Sequence, residues 1–271
     1  MSETQRTLPD YESPPVIETV LGVRFSPLTP FTTRLFSLYW TSIKDEYPHF
    51  EIQDPIPQTA EEFGANRARP LGIQIIKGPE SRCWFIDETE TRLIQFQRDG
   101  FFLNWRKVKG NEPYLHYDHT KPNFEKYWKG FGEFLNHQGL PDPQISQCEV
   151  TYINHIEKGQ GWDSYGELNK VISCWSGKYS GDFLQDPESV SLNVQYVLPD
   201  QKGRLHIAML PAIRKQDAKE VLQLNLTARG KPGSSKLDDI VSWFDLGHKW
   251  IVRGFTDFTA KDMHQFWRRT V

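Results

Sequence analysis

"PPVIETVLGVRF", Pro14 to Phe25, and "QCEVTYINHI", Gln147 to Ile156, are the stretches whose reading decides the fold. In the first, Val16, Glu18, Val20 and Gly22 alternate with Ile17, Thr19, Leu21 and Val23. Pro14 and Pro15 donate no backbone hydrogen bond and hold the chain extended, so they can lead into a strand but not sit inside a central one. β-branched residues then dominate, and the stretch reads as a strand buried on at least one face. The second stretch repeats that character in the other half of the chain.

Working outward, Ser26-Pro27 and Thr29-Pro30 break the first strand. In "FTTRLFSLYWTSIKDEY", Phe31, Leu35, Leu38, Tyr39 and Ile43 recur at helical spacing, with Thr29 or Thr32 as a cap and Pro48 as the stop. A proline-rich passage follows, and then short strands at "LGIQIIKG" and "RCWFI". "RLIQFQRDGFFLNWR" reads as a hairpin turning at Asp99-Gly100. "NFEKYWKGFGEFLNHQG" places Phe124, Tyr127, Trp128, Phe131 and Leu135 on one helical face, with Gly139 as its C-terminal stop.

The second half follows the same order. After "CEVTYINHI", the stretch "WDSYGELNKVISCWS" reads as an amphipathic helix through Trp162, Leu168, Val171, Ile172 and Trp175. "SVSLNVQYVLP", "GRLHIAMLPAI" and "EVLQLNLTARG" are alternating strands, and "KLDDIVSWFDLGHKWIVRGF" is a long helix. The segment "FEIQDPIPQ" also echoes "FLQDPESVS". The expectation is an internally duplicated α+β protein in which a strand–helix–antiparallel strands–helix unit occurs twice, with helices packed on an antiparallel sheet. Residues 1–13 form a flexible N-terminus, 14–143 the first repeat and 144–271 the second. The core draws on Ile17, Val20, Leu21 or Val23, Phe96, Leu103, Trp128, Val150, Leu192, Leu224, Phe244 and Ile251.

Composition narrows the class. Hydrophobic residues at 38% and charged residues at 25% suit a globular chain rather than a disordered one. The net charge of −3, from 32 basic and 35 acidic residues, gives no global attraction to nucleic acid or to an anionic membrane. Cys83, Cys148 and Cys174 form no CxxC pair, which argues for reduced thiols and against a disulfide framework or zinc site. No apolar run approaches the ~20 residues that span a bilayer. The opening "MSETQRTLPDYESPP" lacks the apolar core of a signal peptide, so a cytoplasmic location without membrane contact is expected.

The opening strand, together with "SIKDEYPHFEIQDPIP", "RLIQFQRDGFFLNWRK" and "CEVTYINHI", resembles a sporadically distributed bacterial family of uncharacterised proteins. That family carries a Pro-Pro-apolar-x-Glu strand and an L-I-Q-x-Q…N-W-R hairpin. The resemblance spans most of the chain and is densest over residues 14–156. It implies no particular reaction. The scattered occurrence fits mobile or defence-associated genes, such as a toxin–antitoxin-like system. The repeated plan also looks like duplicated folds of the TATA-binding-protein or helix-grip type.

Catalytic patterns do not assemble. G-x-S-x-G is absent. Cys148 and His155, seven residues apart on a strand, point to opposite faces and lie about 23 Å from one another. "HYDH", His116 to His119, reads as a loop bounded by Pro113 and Pro122 and lacks further metal ligands. In "ARGKPGSSK" the P-loop order is missing, and Ser234 or Ser235 is expected to cap the helix that follows. Glu61-Glu62 and Asp238-Asp239 sit where loops and helix starts favour acids. In the terminal "HQFWRRTV", Phe266 and Trp267 are expected to dock a helix and leave the arginines in water. Neither a cofactor nor a metal is indicated.

The distinctive feature is a set of amides on alternating strands: Gln95, Gln97 and Asn104; Asn193 and Gln195; Gln223 and Asn225, with Asn154 on a similar strand. Solvated strand faces usually carry Thr, Lys and Glu, and Asn is disfavoured in strands. Arg106 and Arg229 extend the same strands with a guanidinium fork for carboxylate or phosphate. Apart from Asn154, these nine residues are the candidate contact set of a non-enzymatic recognition or regulatory protein. Its partner is a protein or a second copy of itself. A nucleic-acid-binding module, or a small-ligand sensor or enzyme with a pocket between sheet and helices, are the alternatives.

Overall fold

The computed structural model describes residues 7–28, 33–57, 61, 63, 82–176 and 182–271. The strand expected at Leu71–Gly78, the helix caps Thr29 and Thr32, and Met1–Arg6 of the N-terminal stretch lie outside the described residues.

Nine described strands form one antiparallel sheet. They are β1 (Val16–Phe25), β2 (His49–Gln53), β3 (Arg82–Ile86), β4 (Arg92–Gln97), β5 (Gly100–Arg106), β6 (Ile145–Glu157), β7 (Leu192–Val197), β8 (Arg204–Ile213) and β9 (Glu220–Gly230). Their order is β2-β3-β4-β5-β1-β6-β9-β8-β7. β1 and β6 lie side by side at the centre, with Leu21 opposite Val150. On its other edge β1 pairs with β5, the strand that precedes the long helix α2 (Tyr117–His137). In the same way β6 pairs with β9, the strand that precedes α3 (Leu237–Phe258). The other α-helices among the described residues are α1 (Thr33–Ile43) and α4 (Lys261–Phe266).

Strand alternation separates the two sides of this sheet. Leu21, Val23, Phe25, Ile94, Phe96, Phe101 and Leu103 share a buried cluster with the apolar faces of the helices. Phe131 of α2 is fully buried, with its ring 4.6 Å from Phe96 and 5.8 Å from Phe101. Phe124 of α2 meets Phe244 of α3 edge-on at 4.8 Å and so joins the two long helices. Gly139 takes φ +66° just after α2, a conformation that suits glycine at a helix end. Most expected core positions are buried, but Ile17 and Leu192 are only half-buried. Val20 is buried on the side away from the helices, under its polar neighbours.

Several expectations need correction. Between Trp162 and Trp175 no amphipathic α-helix forms; one 3-10 turn at Tyr165–Lys170 gives way to an irregular stretch in which Ile172 bridges Thr259. Gly166, Asn169 and Ser173 weaken helical propensity there. Trp162, Leu168, Val171 and Ile172 are buried all the same, as a plug rather than a stripe. In the hairpin, Arg98 and Asp99 are the turn and Gly100 is already the first residue of β5. "HYDH" is no loop, because Tyr117 opens α2 and Pro122 lies within its second turn. Proline removes one helical bond there, near an end where few bonds are yet made, and Asn123 Nδ2 donates 3.0 Å to the His119 carbonyl. Neither Ser234 nor Ser235 is the N-cap of α3, which is Lys236; Ser235 Oγ instead accepts from Ile145 N at 3.0 Å. "FEIQ" pairs with β3 as an edge strand.

The start and end of the described chain are tied together. Glu12 N and Ser13 N donate to the carbonyls of Arg268 and Trp267, and Thr270 N donates to Asp10 O. Tyr11 is buried against Phe255 and Trp267. Asp10, Glu12 and Ser13, within the stretch expected to be flexible, are thus hydrogen-bonded to residues 267–270. Trp267 docks as expected, whereas Phe266 faces outward.

Truncating Phe131 to Ala removes the ring that bridges sheet and α2, and should cost about 3–5 kcal/mol. Denaturant unfolding of the purified variant measures it; a loss below about 1 kcal/mol would contradict this account of the core.

Candidate functional site

All nine candidate contact residues lie on the face of the sheet away from the helices. Register places them: Val20 opposite Asn104, Glu18 opposite Arg106, Gly22 opposite Phe102, and Glu149 opposite Arg229. Farther out, His155 pairs with Gln223, Ile153 with Asn225, and Gln195 with His206. Asn154 belongs to the opposite face, beside Tyr152.

The face is not uniformly open. Gln95, Gln97 and Asn104 are buried; Arg106, Gln223, Asn225 and Arg229 are half-buried; Asn193 and Gln195, on edge strand β7, are exposed. Gln95 and Asn104 are enclosed by Arg82, Trp84 and Glu18, and Gln97 by the chain that leaves β2. Ile56 exchanges two hydrogen bonds with the Gln97 amide, at 3.1 and 3.0 Å. Glu61 N donates to Gln147 Oε1 at 3.1 Å, and its carboxylate receives Arg204 at 2.6 Å and His206 at 2.5 Å on β8. Burial opposes the Glu61 charge, but the hydrogen bonds from His206 and Arg204 outweigh it and hold the carboxyl below its ordinary value. Phe63 then packs under the Arg204 guanidinium, 4.1 Å from the ring centroid.

Between this crossing chain and β6 lies a cleft of about 280 Å³ lined by Arg24, Arg82, Arg106 and Arg229, against the carboxylates of Glu18 and Glu149. Its floor is Phe102, whose ring covers Gly22 and Gly100; a Cβ on Gly22 would stand 2.0 Å from Phe102 Cδ1. Arg24 lies over that ring at 4.8 Å and is drawn toward Asp99 at 3.6 Å. Trp84 has the guanidinium groups of Arg82 and Arg106 at 5.2 and 5.4 Å from its centroid.

Each arginine is held by part of its fork. Arg82 Nη1 donates to Gln95 Oε1 at 2.7 Å, while its buried Nε has no hydrogen-bond partner. Arg106 Nε donates to the Glu90 carbonyl at 3.0 Å, and Arg229 Nε to Glu149 at 2.6 Å. Burial pulls Arg82 below its ordinary value; Asp54 opposes this and Arg24 adds to it. The amides act as spacers: Gln95 Nε2 donates to Asn104 Oδ1 at 2.8 Å, and Asn104 Nδ2 donates to Glu18 Oε1 at 2.5 Å. Burial raises the Glu18 carboxyl above its ordinary value, against the hydrogen bond from Asn104 and the charge of Arg106. The cleft thus presents guanidinium donors, neutral amides and aromatic surface, a chemistry suited to a carboxylate or phosphate.

Other sequence candidates do not join it. Cys148 is buried on the helix side, and burial raises its thiol well above the usual value, so it stays protonated. His155 shares its strand but faces Gln223 on the polar side. Among the described residues no group of His, Cys, Asp or Glu is arranged to hold a metal ion. The signals missed in the sequence were Arg24, Arg82 and Trp84, each a single polar or aromatic residue in an apolar strand. No family model, curated protein or solved structure matches this chain.

Two outcomes follow from the cleft's geometry. Gly22→Ala drives a methyl group into a ring that Arg24 holds in place, and chemical denaturation should show a loss of about 1–3 kcal/mol. Glu18 binds its proton more tightly folded than unfolded, so its contribution to stability is present below its ordinary value of 4.5 and is lost as pH rises through the raised value. Glu18→Gln keeps the contact with Asn104 and should gain stability relative to the natural chain with rising pH. Unfolding curves across that window check this, and parallel profiles would contradict it.

Proposed function

We propose that this is a non-enzymatic recognition protein that holds an acidic segment of a protein partner in the polar cleft of its sheet. The observation that carries the reading is the quartet Arg24, Arg82, Arg106 and Arg229 around one cleft, with guanidinium donors left over and Arg82 Nε unpartnered. A buried donor without an acceptor costs about 1–3 kcal/mol, which an incoming carboxylate would recover. The cleft's lining carries four arginines and the carboxylates of Glu18 and Glu149, while Asp99 and Asp54 act on Arg24 and Arg82 from outside the lining and leave Arg106 as the arginine without an acid bonded to it. Acidic protein segments suit it better than nucleic acid because Trp84, the aromatic surface on which a base would stack, already has two guanidinium groups beside it.

The same reading takes the chain as an internally duplicated unit of TATA-binding-protein-like or helix-grip-like type. Its support is the palindromic strand order, in which each half's first strand pairs with its last and the two first strands pair together. In such an arrangement the polar face is shared by both halves, and the cleft falls at their seam. A bacterial cytoplasmic role, in a defence or toxin–antitoxin-like setting, is consistent with the resemblance of the sequence motifs.

The test is titration of the purified chain with a short polyglutamate peptide, a polyglutamine peptide and a single-stranded oligonucleotide. Polyglutamate should bind and polyglutamine should not. The double variant Arg82→Gln, Arg106→Gln should weaken polyglutamate binding by at least about tenfold, since a charge-assisted hydrogen bond contributes ~1.5–3 kcal/mol. Its melting temperature should stay close to that of the natural chain. Absence of polyglutamate binding, or binding untouched by the variant, would overturn the reading; tighter binding of the oligonucleotide would replace it with the nucleic-acid alternative.

A further inference from the structure

A second cavity lies on the opposite side of the sheet, between α2, α3 and strands β1, β6 and β9. Its volume is about 440 Å³, within the range of small-molecule pockets. Leu8–Tyr11 line one side of it, and the backbone bonds from Asp10, Glu12 and Ser13 to the C-terminal residues hold that side in place. Val16, Leu226, Ile251 and Phe255 supply apolar wall.

The polar lining is unusual in being rich in acceptors. Asn154 is 1% exposed; its Nδ2 donates to the Leu224 carbonyl at 2.9 Å, and its Oδ1 has no hydrogen-bond partner. A buried acceptor of this kind is costly unless something donates to it. Asp10, Asp118 and Asp245 line the cavity against one lysine, Lys121, which is bound to Asp245 at 2.9 Å. The charge of Asp118 reaches the hydroxyls of Tyr114, Tyr117 and Tyr152 as well as His248. His248 stacks on Tyr117 at 4.0 Å, and burial pushes it down to about 4, so it adds no positive charge near neutral pH. The Tyr114 hydroxyl donates to that of Tyr152 at 3.1 Å, which fixes two of the three tyrosine rings.

We propose that this cavity binds a small organic ammonium ion, an amine on an apolar body, with Asn154 Oδ1 as its hydrogen-bond acceptor and Tyr114 and Tyr152 as its aromatic surroundings, the Tyr117 ring being already stacked on His248 with Lys121 Nζ 5.4 Å from its centroid. Aromatic faces attract a cation by ~0.5–2 kcal/mol each, more when water is excluded. The carboxylates draw a cation inward and repel an anion. A metal ion is the poorer match, because the described acids and histidines do not converge as ligands. This site lies on the far side of the sheet from the cleft of arginines, so its occupant is distinct from the acidic segment proposed above.

The experiment is calorimetric titration of the full chain with 2-phenylethylamine, with 2-phenylethanol as its neutral counterpart and phenylacetate as its anionic one. The amine should bind at least about tenfold more tightly than the alcohol, and phenylacetate should not bind measurably. Asp118→Asn, an exposed change, should weaken the amine by about threefold to tenfold and leave the alcohol unchanged. Asn154→Ala should reduce the preference for amine over alcohol; should that variant fail to fold, Asp118→Asn decides. Equal affinity for amine and alcohol, no amine binding at millimolar concentration, or amine affinity unchanged in Asp118→Asn would each overturn the proposal. Polyglutamate titration of Asp118→Asn separates the two sites, since the arginine cleft is untouched by this change.

Discussion

The antiparallel pairing of β1 with β6, running from Val16 opposite Asn154 to Phe25 opposite Ile145, is the interaction on which the rest of the structure depends. Neither strand is an edge, so both keep their backbone groups satisfied from two sides. Every other strand is added outward from this pair, through β5 on one flank and β9 on the other. Because side chains alternate along a strand, the register of that pair also sets which residues meet on each face. A slip of β6 by one residue would send Val150 and Tyr152 to the polar face and Glu149 and Thr151 into the helix-side core.

The two faces solve the burial problem differently. On the helix side, rings do the packing: Phe96, Phe101, Phe124, Phe131 and Phe244 touch edge-on or stacked and connect both long helices to the sheet. On the polar side no helix among the described residues packs, and Ile56, Glu61 and Phe63, which follow β2, cover part of the sheet. Irregular chain has backbone groups that need partners, and side-chain amides can both donate and accept. Gln97 and Gln147 serve Ile56 and Glu61 in that way. The concentration of Gln and Asn on these strands is thereby accounted for in part as structural bonding, which leaves the arginines as the groups with spare donors.

β1, β6 and β9 each line both cavities, β6 most fully. Its Glu149 and Thr151 line the arginine cleft, whereas Tyr152 and Asn154 line the tyrosine cavity, with one backbone between them. β9 does the same through Arg229 and Leu226. The two cavities are therefore built on opposite sides of the same strands, close to the central pair.

Much of the architecture was legible in the residues themselves. Period-two alternation marked β1, β4, β5, β6, β7, β8 and β9, helical spacing marked α1, α2 and α3, and the same alternation put all nine polar candidates on one side, because side-chain direction in a strand is a local property. Local signals misled where tertiary packing overrode them: Trp162, Leu168 and Ile172 have an apolar stripe's spacing yet fill a gap as a plug, and His116–His119 looked like a loop although Tyr117 opens a helix whose face packs on α3. What the residues alone left open was exposure. Whether Gln97 and Gln147 face water depends on Ile56 and Glu61 of the chain that follows β2, contacts between segments far apart in sequence. Likewise Arg24, Arg82, Arg106 and Arg229 come from four different strands, and only the strand order brings their charges together. Local chemistry determined which way each side chain points; long-range topology decided which of them share a cavity.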